Sequence, residues 1–166
     1  MDRIWAPWRS AYLTTISDHK DGECLFCRIG SQPEGGSDHV FLRREYCYAV
    51  LNRYPYNNGH SLIVPYAHLS DPGQFNDDQR REFFGLIDEV KSLLDEILHP
   101  DAYNIGMNIG HAAGAGIPDH IHMHIVPRWS GDGNFMPAIA GTKVISQSLD
   151  ELHQALQQAD RNRRTA

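Results

Sequence analysis

Between His120 and Val126 the chain reads His-Ile-His-Met-His-Ile-Val, so imidazoles and apolar side chains alternate. In a β-strand that alternation puts His120, His122 and His124 on one face and Ile121, Met123 and Ile125 on the other, where they anchor the strand to a core. Same-face neighbours stand roughly 7 Å apart, so a phosphate-sized group could meet two of the three rings at once. Neutral imidazole is a nucleophile and a proton carrier near pH 7, and it is also a common metal ligand. From spacing alone three readings stay open: catalysis, a strand-borne metal site, or a solvated face of ordinary histidines.

Other residues could join such chemistry. Cys24-Leu25-Phe26-Cys27 supplies half of a zinc site. With Cys47 alone the cysteine count is three, a poor disulfide framework, and Cys47 falls in an apolar strand pattern that suits the core. The run Gly110-His111-Ala112-Ala113-Gly114-Ala115-Gly116 is glycine-rich, so its backbone N–H groups can approach a phosphate closely, and His111 could reach one. Trp129 could stack on a base or pack at a subunit contact. His19, His39, His99 and His153 fall in loops or on a helix and are expected to be ordinary surface histidines.

The elements that must position these residues follow from periodicity. Strands are expected over 39–43, 46–52 and 60–65, with the turn Asn57-Asn58-Gly59 between the last two. Phe83, Phe84, Ile87, Val90, Leu94, Ile97 and Leu98 then recur at helical spacing, opened by a capping box of Asn76 with Gln79 and closed before Pro100. That predicts a helix over about 77–99. Strands over about 103–109 and 120–127 flank the glycine loop, and Ser148 with Glu151 opens a shorter C-terminal helix carrying Leu149, Leu152 and Leu156 on one face. Residues 28–38 read as a flexible loop, and Trp5-Ala6-Pro7-Trp8-Arg9 as an irregular aromatic arm. The fold class is α+β: a five-stranded antiparallel sheet, one long helix and a shorter C-terminal helix.

Bulk properties narrow the function. A chain of 166 residues with 41% hydrophobic and 22% charged residues suits one domain, with a core at about 24–130, an N-terminal arm and a C-terminal extension. Net charge is −6 and only three of the 15 basic residues are lysines, so no broad cationic face is expected and nucleic acid is excluded as a partner. Arg161, Arg163 and Arg164 read as a short solvated tail. Neither a targeting segment nor a membrane-spanning run is visible, so a cytoplasmic protein is expected.

The segment His120–Val126 resembles the signature of the histidine-triad (HIT) family, and Asn52-Arg53-Tyr54-Pro55-Tyr56-Asn57-Asn58-Gly59-His60 with Leu62-Ile63-Val64-Pro65 is similar to a second segment of that family. The order and separation of these segments match the family layout across about 24–130. The flanks, Trp5–Arg9 and Trp129–Phe135, resemble the bacterial branch that includes diadenosine tetraphosphate phosphorylases and hydrolases. The resemblance implies cleavage at the α-phosphate of diadenosine tetraphosphate or a related adenine nucleotide, through a nucleotidyl-His122 intermediate completed by water or phosphate. An adenosine phosphoramidase of the same family, or a zinc-stabilised nucleotide-binding protein with little catalysis, are the alternatives.

By the same resemblance His122 is the nucleophile, its other ring nitrogen held by a backbone carbonyl. His124 donates to a phosphoryl oxygen, and His60 positions the phosphate or leaving oxygen. Asn52 matches the position that bonds the ribose hydroxyls, and Asn108 one that contacts phosphate. Gly114, Ala115 and Gly116 form the phosphate loop, although many relatives carry Ser, Thr or Gln where this chain has Ala115 and Gly116, so one side-chain phosphate contact is missing. Cys24, Cys27, His68 and His120 match the ligands of a structural zinc ion, which gives His120 a second role beside the triad. Pairing as a homodimer through the long helix and an edge strand is also implied.

Overall fold

The structure, a computed structural model, describes residues 23–33, 38–133 and 145–165. Strands β1 (Val40–Arg43), β2 (Cys47–Leu51), β3 (Ser61–Pro65), β4 (Ala102–Met107) and β5 (Met123–Arg128) form one sheet in the order β1-β2-β3-β5-β4. Every neighbouring pair is antiparallel. Helices α1 (Leu25–Ser31), α2 (Asp77–Leu98) and α3 (Leu149–Thr165) pack on it. The expected α+β class is the one found, with α1 in addition. No described helix is long and apolar enough to cross a membrane.

The long helix begins where its caps dictate. Asn76 accepts from the Gln79 N–H at 2.8 Å while the Gln79 side chain accepts from the Asn76 N–H at 3.1 Å, so two otherwise orphaned donors are satisfied. It ends at His99, in the left-handed region at φ 47°. Phe83, Leu86, Val90, Leu93 and Leu94 are buried against Ala49, Leu51, Ile63, Met123 and Ile125 of the sheet. Each such side chain contributes about 1.5–3 kcal/mol of burial. On the polar edge of this contact the Glu82 carboxylate accepts the N–H groups of Tyr46 and Cys47, both at 2.7 Å, and fixes α2 to the β1–β2 hairpin.

Residues 28–31, expected in a loop, instead complete α1. This seven-residue helix has no side-chain cap at Cys24, so nothing local announces it. Its support is tertiary: Phe26 and Ile29 bury against Tyr48, Val50, Leu62 and Val64, on the sheet face opposite α2. The sheet is thus covered on both sides, and its second face is partly left to polar residues.

The C-terminal helix starts as expected, with the Ser148 hydroxyl accepting from the Glu151 N–H at 3.2 Å and Leu152 and Leu156 buried. Two histidines read as ordinary surface residues tie it to the sheet instead: His39 contacts Asp150 at 2.8 Å and His153 donates to the Val40 carbonyl at 2.9 Å. The arginines read as a solvated tail belong to the last turns of α3, where Arg163 pairs with Glu96 at 2.7 Å and Arg164 with Asp160 at 2.8 Å. His19, the Trp5–Arg9 arm and Asn134-Phe135 lie outside the described residues.

One glycine decides how the chain enters β3. Gly59 sits at φ +74°, and a Cβ there would stand 2.5 Å from Leu98 Cδ1, so both backbone conformation and packing require glycine. The turn is closed by the His60 N–H donating to the Asn57 carbonyl at 3.1 Å, which delivers His60 to the sheet at a fixed height.

Candidate active site and metal centre

Strand β5 begins only at Met123, so His120 and His122 precede it on an extended segment held by the Ile121 N–H donating to the Leu69 carbonyl at 2.6 Å. Ile121, Met123 and Ile125 enter the core as expected. The three imidazoles lie on the opposite face, where Phe26 of α1 touches both His120 and His122, but they divide between two clusters. The rings of His122 and His124 lie 4.9 Å apart, whereas both ring nitrogens of His120 are engaged elsewhere. The fourth histidine arrives across the sheet: Leu62 pairs with His124, and His60, two residues before Leu62, brings its Nε2 to 2.9 Å from His124 Nδ1.

Backbone groups fix the tautomers in this cluster. A carbonyl can only accept, so His122 Nδ1, 3.0 Å from the His120 carbonyl, carries the proton and Nε2 carries the lone pair. A backbone N–H can only donate, so His60 Nδ1, which receives the Tyr56 N–H at 3.1 Å, is unprotonated. Neutral His60 therefore donates from Nε2 to His124 Nδ1, and neutral His124 must carry its own proton on Nε2. The pair His122 and His124 consequently presents one nucleophilic nitrogen beside one N–H donor.

Burial disfavours the charged form of His122 and of His60. Burial pushes the pKa of His122 below the ordinary 6.5, partly opposed by the bond to the His120 carbonyl. His60 is pushed down to about 3, first by burial and then by the neighbouring His124 and His122.

The second cluster uses the other histidine. His120 Nε2 donates to the Pro65 carbonyl at 2.9 Å, which leaves the Nδ1 lone pair beside Cys24 Sγ at 3.3 Å and Cys27 Sγ at 3.6 Å. His68 Nδ1 lies 3.3 Å from Cys27 Sγ, and all four ligand atoms fall within 4.8 Å of one another. Tetrahedral zinc with Zn–S about 2.3 Å and Zn–N about 2.0–2.1 Å requires N···S separations of roughly 3.5 Å, so this donor set fits that ion in number, chemistry and spacing.

The remaining sequence candidates are distributed unevenly. Asn52 stands beside His60: its Oδ1 accepts the Tyr54 N–H at 3.0 Å and its Nδ2 is 3.3 Å from His60 Nδ1, so it shapes the turn and orients the ring. Met107 pairs with Met123, which sets Asn108, one residue on, level with His122. Gly114, in the left-handed region, ends the short turn His111–Ala113, and Ala115 is buried. Trp129 donates its indole N–H to the His99 carbonyl at 3.2 Å; it packs at the end of α2, beyond the end of β5. Two aromatics went unrecognised in the sequence. Phe26 of α1 lies 4.8 Å from the His122 ring and 5.5 Å from that of His120, and Tyr56 lies over His60 at 4.6 Å and stacks on His124 at 6.0 Å. Phe26 sits inside the Cys-x-x-Cys pair and Tyr56 inside the Asn52–His60 segment, so their positions were marked although their ring contacts were not.

Comparison with known proteins shows which family the chain resembles. The HIT domain family matches residues 35–131. An AP-4-A phosphorylase of Mycobacterium tuberculosis is 35% identical over 164 residues, covering 94% of this chain and 83% of the relative. An adenosine 5'-monophosphoramidase of Saccharomyces cerevisiae is 26% identical, covering 92% of each. Among solved structures, a Zn-bound histidine triad family protein from Mycobacterium smegmatis superposes with a TM-score of 0.68 at 24% identity, covering 86% of this chain and 96% of that one. The chain belongs to the HIT domain family and is a HIT-type enzyme.

The buried neutral state of His60 makes folding pH-dependent. Its folded pKa of about 3 lies below the unfolded value near 6.5, so in that window the unfolded chain binds more protons and stability falls as pH falls. The share from His60 is about 1.4 kcal/mol per pH unit between roughly pH 6 and 4, and none above pH 7. Urea unfolding at a series of pH values should therefore show His60→Asn with a shallower acid loss than wild type, by nearly one proton. Parallel curves for the two proteins would contradict the assigned neutral state.

Proposed function

We propose that this enzyme cleaves diadenosine tetraphosphate or a closely related adenine nucleotide at the α-phosphate, with His122 as nucleophile. The observation that carries this is the His122 bond to the His120 carbonyl, which leaves Nε2 unprotonated beside the N–H donor of His124. The Nε2 lone pair forms the N–P bond while the bond from the α-phosphorus to the bridging oxygen breaks, and the electron pair leaves on the polyphosphate as an anion. His122 becomes cationic in that step. Its Nδ1–H bond to the carbonyl strengthens as charge develops, which favours the transition state over the ground state.

His124 donates from Nε2 to a phosphoryl oxygen, and His60 holds that ring in the donating tautomer. Asn52, besides orienting His60, is assigned to the ribose hydroxyls, and Asn108 with Gly114–Gly116 to the phosphates. Water or inorganic phosphate then attacks phosphorus to give AMP or ADP, the N–P electron pair returns to Nε2, and the proton of the attacking group passes to solvent. The 35% identity to an AP-4-A phosphorylase supports this substrate class. A homodimer is part of the same proposal, supported by the outermost position of β4 and by the exposed Ile105 on that strand and Phe84 on α2.

Turnover quenched in alkali should trap an acid-labile adenylyl-protein in wild type and none in His122→Ala, with release of AMP, or of ADP where phosphate is the acceptor, falling on the order of a thousandfold or more. Binding of nucleotide without any trapped intermediate in wild type would overturn the mechanism.

We further propose that Cys24, Cys27, His68 and His120 hold zinc. When bound, the ion would supply a structural crosslink from α1 to the segment that carries His122. Elemental analysis should give about one zinc per chain for wild type and a large loss for Cys27→Ser, with a melting temperature lowered in parallel. Equal zinc content in the two proteins would exclude these ligands.

A further inference from the structure

Beside the histidines the sheet face continues into a cavity of about 270 Å³ lined by Tyr56, Asn57, Asn104, Val126 and Arg128. Its floor is Val126, two residues past His124 on the same face of β5, with Asn104 opposite Val126 on β4. Tyr56 walls it on one side; this ring is about half exposed, at 49%, and already lies across His60 and His124. The other wall is polar and cross-braced. Arg128 donates to Asp132 at 2.6 and 2.8 Å and to Asn104 Oδ1 at 2.6 Å, while Asn57 Nδ2 donates to Asp132 at 2.8 Å.

These features specify the occupant. The guanidinium of Arg128 is matched by the carboxylate of Asp132, so the cavity offers no uncompensated positive charge to a phosphate. An apolar floor, one aromatic wall and amide edges suit a flat heterocycle with hydrogen-bonding groups on its rim. Asn104, whose Oδ1 is committed to Arg128, offers its Nδ2 as a donor to such a rim. The distance also fits: from His122 to Val126 is four residues of extended chain, roughly 13 Å at about 3.3 Å each. That separates the attacked phosphorus from a group carried several bonds beyond it.

We infer that this cavity is the subsite for the departing nucleoside of a dinucleoside polyphosphate, with Tyr56 stacking on its base. The inference rests on the cleavage proposed above and adds what lies at the far end of the leaving group. It makes Tyr56, Val126 and Asn104 determinants of specificity for a second nucleoside, distinct from the residues that act on the α-phosphate.

The test compares kcat/KM for diadenosine tetraphosphate and for adenosine 5'-tetraphosphate, which has the same phosphate count and lacks the second nucleoside. Base stacking on an aromatic side chain is a contribution that corresponds to roughly tenfold or more in binding, so wild type should prefer the dinucleotide by about that factor. Tyr56→Ala, and Val126→Phe, which fills the floor, should each bring the ratio close to one, mainly by raising KM for the dinucleotide. Retention of the preference in both variants would overturn the inference, as would an equal fall for both substrates in both variants, since that pattern belongs to ring support of the histidines. Where wild type cleaves both substrates and only the ratio fails to respond, the subsite is wrong and the cleavage stands; release of neither AMP nor, with phosphate present, ADP from either substrate would remove both.

Discussion

A single hydrogen bond, from His122 Nδ1 to the carbonyl of His120 at 3.0 Å, governs what this site can do. It decides which nitrogen of His122 is free, and it does so with a backbone group that cannot change its protonation state. For the bond to hold, the peptide after His120 must keep one orientation. Ile121, between the two histidines, is buried in the core and its N–H is bonded to Leu69, so the carbonyl has little freedom to turn. The free nitrogen of His122 and the packing of one isoleucine are therefore parts of the same constraint.

The rest of the fold can be understood as support for that peptide. On one face of the sheet α2 buries Ile121, Met123 and Ile125; on the other α1 brings Phe26 against both His120 and His122. Phe26 is itself anchored, since its carbonyl accepts the Tyr48 hydroxyl at 2.7 Å in the interior. Because the flanking Cys24 and Cys27 meet His120 and His68, the cysteine cluster and His122 are joined through a single turn of helix. Loss of order in α1 would be felt at His122 through Phe26.

Sequence patterns revealed much of this because the main elements obey local rules. The reciprocal caps of Asn76 and Gln79 start α2 where the sequence placed it, and the alternation of Ile121, Met123 and Ile125 correctly assigned those side chains to the core. The same alternation put His120 on the histidine face but did not foretell which partners its ring would meet. Period two describes side chains within a regular strand, and β5 starts three residues later, so the ring of His120 was free to turn toward Pro65 and the cysteines. Helix α1 was missed because seven residues without a side-chain cap carry almost no helical signal, its stability coming from contacts with β2 and β3. Tyr56 posed the same difficulty: its sequence position was plain, but its place over His60 depends on the turn that Gly59 permits.

The positions of the protons on the rings of His122, His60 and His124 are directly observable. Long-range proton–nitrogen correlation spectra of the protein labelled with 15N-histidine, recorded near neutral pH, distinguish a protonated ring nitrogen from one with a lone pair. The expected result is His122 with its proton on Nδ1 and a lone pair on Nε2, and His60 and His124 with the opposite arrangement. His122 carrying its proton on Nε2, with Nδ1 bare against the His120 carbonyl, would contradict it.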